Sequence, residues 1–219
     1  MFAERLQQVE ERVQAACLRA GRRREQITLL AVTKVFPAAT IREAYEHGLR
    51  DFGENYVQEF AGKAPDLAGC REARFHLIGH LQSNKARRAA GLFHMIQTVD
   101  SEKLARKLEE CERAIDVMIE VKLAAEESKG GVDPEAVAPL VDYIRSCRFL
   151  RLAGLMTMPP WTDDAEVARP YFRRLRVLAE AYRLSALSMG MSHDFEAAIE
   201  EGATHIRVGT ALFGPRRKP

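Results

Sequence analysis

No charge excess, no cysteine pair and no long apolar run mark this sequence, and each absence narrows what the chain can be. The formal net charge is +2 over 219 residues, so no overall field draws it to nucleic acid or to an anionic membrane. Two short basic runs, at 22–24 and 216–218, read as solvated surface. The four cysteines, Cys17, Cys70, Cys111 and Cys147, are scattered. None forms a CxxC pair or stands at a zinc-like spacing from a histidine, so neither a metal nor a disulfide framework is expected. Thiols in a reducing compartment are the plainer reading. No apolar run reaches the length of a membrane helix, and the charged, amphipathic start MFAERLQQVEE is unlike a secretory signal. A cytoplasmic protein is the resulting expectation. Tandem repeats and low-complexity tracts are missing too.

What is present is a regular alternation. Hydrophobic residues make up 47% of the chain, enough for one good core. Leu6, Val9, Val13 and Cys17 recur at helical spacing and predict a helix over 3–20, stopped at Gly21. Strand-like runs follow at 28–34, 51–54, 74–79, 93–99, 115–122, 149–156, 186–189 and 204–208. Helix-like segments lie between them, at about 39–48, 56–68, 83–91, 101–113, 133–146, 164–183 and 193–202. Strands separated by helices imply a parallel sheet, and eight of them suggest a closed (β/α)8 TIM barrel with an extra N-terminal helix. An open doubly wound sheet is the rival. It normally carries a glycine-rich phosphate loop after its first strand, where this sequence has Lys-Val-Phe-Pro. Such barrels typically take about 250 residues, so one domain spanning 1–219, with tight loops and no second domain, is expected. The longest irregular stretches, 123–132 and 157–163, follow strands, on the face where barrel sites are built.

The first strand raises a chemical question. In LLAVTKVFP (29–37), alternation puts Leu30, Val32 and Lys34 on one face and Leu29, Ala31 and Thr33 on the other. If the first set faces the barrel interior, Lys34 caps the strand at the active-site end. Burying an ammonium carries a penalty of about 4–7 kcal/mol at the extreme. A lysine made neutral in this way is a nucleophile toward aldehydes, the chemistry of Schiff bases. The plainer alternative is a lysine that emerges into solvent or pairs with a carboxylate such as Glu54.

The other end of the chain bears on the choice. SMGMS (188–192) closes the seventh strand, and HIRVGTALFG (205–214) carries the eighth into its exit loop. Barrel phosphate sites are frequently made from these two loops. Gly190, Gly209 and Gly214 permit close backbone approach, Ser188, Ser192 and Thr210 offer hydroxyls, and N–H groups at a short helix start bind anions. Alternation also points Arg207 inward, with Ile206 and Val208 against the helices. An amine at one strand end and a phosphate cradle at the other describe a ligand with an aldehyde and a phosphate. Pyridoxal 5′-phosphate (PLP) fits that description.

Across nearly its whole length the sequence resembles the pyridoxal-phosphate homeostasis protein family (the PROSC or YggS-like proteins), itself similar to the N-terminal barrel of bacterial alanine racemase. The motifs that carry the resemblance are LLAVTKVFP, DFGENYVQE (51–59), FHLIGHLQSNKAR (75–87), ESKGG (127–131), GLMTM (154–158) and LSMGMSHDFEAAIEEGATHIRVGTALFG (187–214). The resemblance implies Lys34 as the aldimine lysine and Arg207 at the pyridine nitrogen. It implies Ser192, Gly209 and Thr210 at the phosphate, with Ser188, Met191 and Asn55 nearby. It gives His76 and His80 no role, and packing histidines are at least as good a reading. Two positions depart from the family pattern: Ala-Val-Thr-Lys stands where Ala-Val-Ser-Lys is expected, and ESKGG replaces Glu-Ser-Lys-Ser-Gly, which removes a hydroxyl from a loop.

A racemase needs acid/base groups on both faces of the substrate carbon. In alanine racemases the second comes from a β-domain, and here the sequence is expected to hold the barrel alone. Tyr56 is the one tyrosine near a plausible site. An always-charged Arg207 would disfavour protonating the pyridine nitrogen and so weaken the cofactor as an electron sink. The resulting expectation is a vitamin B6 homeostasis protein, not an enzyme, that holds PLP as a reversible lysine aldimine and releases it. Its expected partners are PLP and the PLP-dependent apo-enzymes that receive it, with no nucleic acid and no membrane, and the chain is expected to be a monomer. A PLP-dependent amino-acid racemase and a scaffold that has lost its ligand are the alternatives.

Overall fold

The computed structural model describes residues 1–124 and 130–215. Positions 127–129 of ESKGG and the basic run at 216–218 lie outside the described residues. The chain leads with α1 (Phe2–Arg19), which buries Val9, Val13, Ala16 and Cys17 along one stripe, as the 3.6-residue spacing requires. Strands and helices then alternate: β1 (Thr28–Val32), α2 (Ala38–Glu46), β2 (Asp51–Glu54), α3 (Val57–Lys63), β3 (Arg74–Leu77), α4 (Ala86–Leu92), β4 (Met95–Val99), α5 (Glu102–Glu109), β5 (Ile115–Glu120), α6 (Val137–Ser146), β6 (Leu150–Met156), α7 (Arg169–Ala181), β7 (Ala186–Met191), α8 (Phe195–Glu200), β8 (His205–Val208) and the short α9 (Thr210–Phe213). Each strand pairs in parallel with the next, and β8 returns to β1, so the sheet closes into a barrel in chain order. The (β/α)8 reading holds and the open sheet is excluded. No helix among the described residues is long and apolar enough to cross a membrane.

The two faces of the sheet differ in chemistry. Outward residues such as Leu29, Ala31, Phe52, Leu77, Val117, Leu187, Ile206 and Val208 join the helices in one large apolar core. Inward residues form only small apolar clusters, Leu30 with Val32 and Ile78 and Met95 with Met118 and Met156. Between these clusters stand Asp51, His76, Gln97, Ser188 and Arg207, all buried. A bond from Ser188 on β7 to Gln97 on β4 crosses the barrel and shows that both side chains lie inside it. The β1–β8 register sets Leu30 beside Arg207, so the facing read from alternation is correct for both strands.

The elements are shorter at their ends than the apolar runs suggest. β1 stops at Val32, because Val35 takes a left-handed φ of 62°. α5 stops at Glu109, just before Glu112 at φ 54°. The run at 56–68 divides into α3 and a 3-10 turn over Ala64–Leu67 that begins with Pro65 near its start. β7 instead runs longer, to Met191. The leading helix is pinned to the end of the barrel by Arg12 with Glu196 (2.9 Å) and Arg19 with Glu200 (2.7 Å). Arg22 adds bonds to the carbonyls of Ile199 and Ala203.

Gly154 on β6 pairs with Ala186 on β7, and a Cβ at Gly154 would stand 2.6 Å from the Ala186 carbonyl carbon. Both atoms belong to the barrel wall and cannot swing away. Gly154→Ala should therefore cost about 3 kcal/mol in urea unfolding. Gly62→Ala, on α3 with nothing within 4 Å of the new Cβ, should instead add about 0.5–1 kcal/mol. Equal effects at the two sites would contradict the tight β6–β7 approach.

Candidate functional site

Lys34 stands on the turn after β1, not on the strand itself. Left-handed φ is costly for a β-branched residue such as Val35, so the turn needs to be held. The Thr33 N–H donates to the Gly53 carbonyl (3.0 Å) and the Phe36 N–H to the Thr33 carbonyl (3.1 Å). The Val35 N–H donates to Glu59 Oε1 (2.7 Å). From α3, the buried Lys63 ammonium donates to the carbonyls of Thr33 and Phe36 (3.2 Å each) and to Glu54 Oε1 and Glu59 Oε1 (2.8 Å each). Thr33 Oγ1 also donates to Glu54 Oε1 (2.8 Å), so the threonine that departs from the family pattern keeps a hydroxyl at work here. Burial raises the Glu54 pKa, while Lys63 and Thr33 pull it down. Glu54, considered above as a partner for Lys34, thus serves the outer side of the turn through Lys63.

A cavity of about 260 Å³ opens at the C-terminal ends of the strands. Of the residues singled out in the sequence, Lys34, Asn55, Met191, Ser192, Arg207, Gly209 and Thr210 line it. Ser188 lies just beneath, fully buried, and accepts a bond from Arg207 (2.7 Å). Asn55 is placed by Gly79, where a Cβ would stand 2.7 Å from the Asn55 Cα. That explains the glycine in the third-strand motif. The β7 exit turns sharply at Gly190 (φ +88°), where a Cβ would meet Ala198 Cβ at 2.6 Å, and Asp194 closes the turn by accepting from the Met191 N–H (2.5 Å). Ser192 Oγ accepts from the N–H groups of Gly209 (3.2 Å) and Ala211 (3.3 Å). The loops after β7 and β8 therefore meet at one hydroxyl.

Sequence reasoning missed part of the lining. His193 and Trp161 sit on the cavity rim with ring centroids 6.0 Å apart. Their signals existed: Trp161 is the one tryptophan of the chain, in a strand-exit loop, and His193 follows Ser192. Tyr56 is 55% exposed and is not among the lining residues. His80 is also exposed, with Nδ1 3.3 Å from Asp100 Oδ2. His76 is buried deep in the barrel and bonded to Asp51 (3.0 Å) and Gln97 (3.1 Å).

The floor of the cavity is cationic. Arg207 donates to Ser188 Oγ and to the Thr157 carbonyl (2.8 Å). Burial pushes its pKa down to about 10, against the pull of Asp194 and Glu120, so the guanidinium stays charged at neutral pH. Glu120, at the end of β5, and Asp194 are the buried acids that act on it; for Glu120 the shift is large. Burial pushes its carboxyl up to about 7, with Arg207 opposing and Asp100 reinforcing the rise. A larger cavity of about 670 Å³ lies at the opposite end, among Arg74, Arg113, Arg148 and Arg151. None of the site residues named from the sequence reaches it. No cluster of metal-ligating side chains occurs among the described residues.

The family profile described as alanine racemase, N-terminal domain, matches residues 5–217. A protein of Aquifex aeolicus named pyridoxal phosphate homeostasis protein is 45% identical over 98% of both chains. One of the same name from Pseudomonas aeruginosa is 44% identical over 98% of this chain and 96% of its own. This chain belongs to the pyridoxal phosphate homeostasis protein family. Among solved structures, PipY of Synechococcus elongatus PCC7942, with PLP bound, is 39% identical and superposes with a TM-score of 0.85, covering 98% of this chain and 100% of its own. Alanine racemase from Corynebacterium glutamicum, at 18% identity and a TM-score of 0.69, matches 96% of this chain and 61% of its own, which shows the shared fold.

Glu120 generates a pH prediction. Its ordinary value is 4.5 and its folded value about 7. Between these pH values the folded chain holds a proton that the unfolded chain has released, so stability falls as pH rises through the window. The penalty is complete above pH 7 and amounts to about 3 kcal/mol for a group this buried. Glu120→Gln should lose correspondingly less stability than the parent between pH 5 and 8 in urea titrations. Parallel pH profiles would show that Glu120 ionises as freely in the folded protein as in the unfolded chain.

Proposed function

We propose that this chain binds PLP in the strand-end cavity through the Lys34 amine, holds it reversibly, and passes it to PLP-dependent apo-enzymes in the cytoplasm without turning over a substrate of its own. The observation that carries the reading is the convergence of three kinds of group on one cavity. Lys34 supplies an amine, Arg207 a buried cation, and Ser192 with the Gly209–Thr210 backbone a polar cradle.

The residues present fit the cofactor. Among the described residues, the buried Asn55 Oδ1 lacks a hydrogen-bond partner and His193 Nε2 has only Asp194 Oδ2 nearby, at 3.4 Å, and both residues line the cavity. A Cβ added at Gly209 would come no closer than 3.5 Å to its nearest neighbour, Val32. No steric clash in the barrel wall demands glycine there, whereas a side chain would fill the cradle. Ser192 Oγ accepts twice and spends its proton on none of the described groups, which leaves it able to donate to a phosphate oxygen.

PLP supplies an aldehyde that condenses with a primary amine, with loss of water, and a ring that can act as an electron sink. Arg207 works against the second property. A permanent cation facing the pyridine nitrogen disfavours its protonation, so the site is better suited to holding the cofactor than to stabilising carbanions. The strained, tightly bonded turn beneath Lys34 keeps the amine at the cavity mouth, where the covalent bond can form and be hydrolysed.

Protein loaded with PLP should show the absorption band of a Schiff base. Borohydride should bleach that band and leave the cofactor fixed to the peptide that contains Lys34. Lys34→Ala should abolish the band, with little change in the unfolding midpoint. A band that survives the substitution would place the covalent bond elsewhere.

A further inference from the structure

Five buried polar side chains inside the barrel are joined by hydrogen bonds that run in one direction when the His76 imidazole is neutral. Arg207 has only N–H groups, so Nη1 donates to Ser188 Oγ (2.7 Å). Ser188 then places its proton on Gln97 Oε1 (2.6 Å). The Gln97 amide is left to donate from Nε2 to His76 Nδ1 (3.1 Å). An accepting Nδ1 puts the ring proton of a neutral imidazole on Nε2, which donates to Asp51 Oδ1 (3.0 Å). Turning the Gln97 amide around would set the lone pair of His76 Nε2 against the Asp51 carboxylate, or require a second buried cation. The chain crosses β8, β7, β4, β3 and β2. It starts at the cavity floor and ends near the opposite rim, where Arg74 caps Asp51 Oδ2 (2.8 Å).

We propose that Gln97 and His76 are positioning residues for Arg207, acting through Ser188 to fix the guanidinium beneath the cofactor ring and to link it to a carboxylate at the far end of the barrel. The inference rests on the PLP reading given above and deepens it. A buried guanidinium needs acceptors and compensation. The simplest compensation, a carboxylate beside it, would also stand beside the ring nitrogen and favour its protonation. Among the described residues no carboxylate forms an ion pair with Arg207. Asp194 and Glu120 act on it through space without bonding to it, and Asp194 Oδ1 accepts from the Met191 N–H. The chain supplies polarised acceptors instead and ends on Asp51, a carboxylate remote from the cofactor that is itself paired with Arg74.

The test uses the full-length protein, both unloaded and loaded with PLP labelled with 15N at the ring nitrogen. In the unloaded parent, 15N NMR of the histidines should show His76 neutral with its proton on Nε2. Gln97→Glu keeps the side-chain size but removes the donor, and should protonate His76 at Nδ1. In the loaded protein, Gln97→Met, of similar volume, should move the ring nitrogen signal toward the protonated range. It should also weaken PLP binding by up to about tenfold, the size of one lost hydrogen bond. Asp51→Asn, remote from the cavity, should move the nitrogen signal the same way by less. A role confined to stability would lower the unfolding midpoint of these variants and leave the nitrogen signal and affinity at parent values, which would overturn the proposal. A parent His76 that is cationic or protonated only at Nδ1 would overturn it too, as would a His76 that keeps its proton on Nε2 alone in Gln97→Glu. If the parent takes up no PLP, the cofactor reading fails, and the His76 tautomer still decides whether the directed chain exists.

Discussion

A permanently charged guanidinium sits inside a closed barrel, and much of the interior is arranged around it. Barrels of this kind usually fill their interior with layers of branched aliphatic side chains. Here Arg207 needs acceptors that water cannot supply, and Ser188 and the Thr157 carbonyl provide them. Ser188, once committed, calls for Gln97, and Gln97 calls for His76. The space left over is taken by three methionines and a small Leu30, Val32 and Ile78 cluster. Stability then rests mainly on the outward face, where the helices close over one large apolar core.

The two buried cations near the cavity are handled in opposite ways. Lys63 is compensated directly, by Glu54 and Glu59 at 2.8 Å each, and its task is mechanical: it ties the carbonyls of Thr33 and Phe36 around a strained Val35. Arg207 bonds to neutral acceptors, Ser188 and the Thr157 carbonyl, and in the proposed function its task is electrostatic. The difference follows from where each sits. Lys63 lies outside the barrel wall, where a carboxylate does no chemical harm. Arg207 faces the cavity, where a carboxylate would change the ligand's protonation.

Much of this was legible in the sequence. Alternation along β1 and β8 correctly turned Leu30, Val32 and Arg207 inward, and the strand-end loops brought Lys34, Ser192, Gly209 and Thr210 to one cavity. The boundary of β1 was not legible, because a valine at φ 62° contradicts local preference and is imposed by tertiary bonds from α3. Nor was the role of Lys63, which reads as an ordinary helix lysine. The internal chain was beyond reach for a different reason. Its central bond joins residues 91 positions apart, and neither glutamine nor serine carries a periodic signal that would announce a partner. His76 could be picked out as a strand histidine, but its role appears only when Asp51 and Gln97 are seen on either side of it.

The central claim is that this site holds a cofactor and does not use it. Exchange of the α-hydrogen of amino acids for solvent deuterium reports carbanion formation at the cofactor directly, whatever the eventual product. The PLP-loaded protein, assayed across a panel of L- and D-amino acids, should exchange far more slowly than the typical enzymatic range of about 1–10³ per second. Exchange within that range for any member of the panel would contradict the carrier account and make the protein a PLP-dependent enzyme of the racemase type.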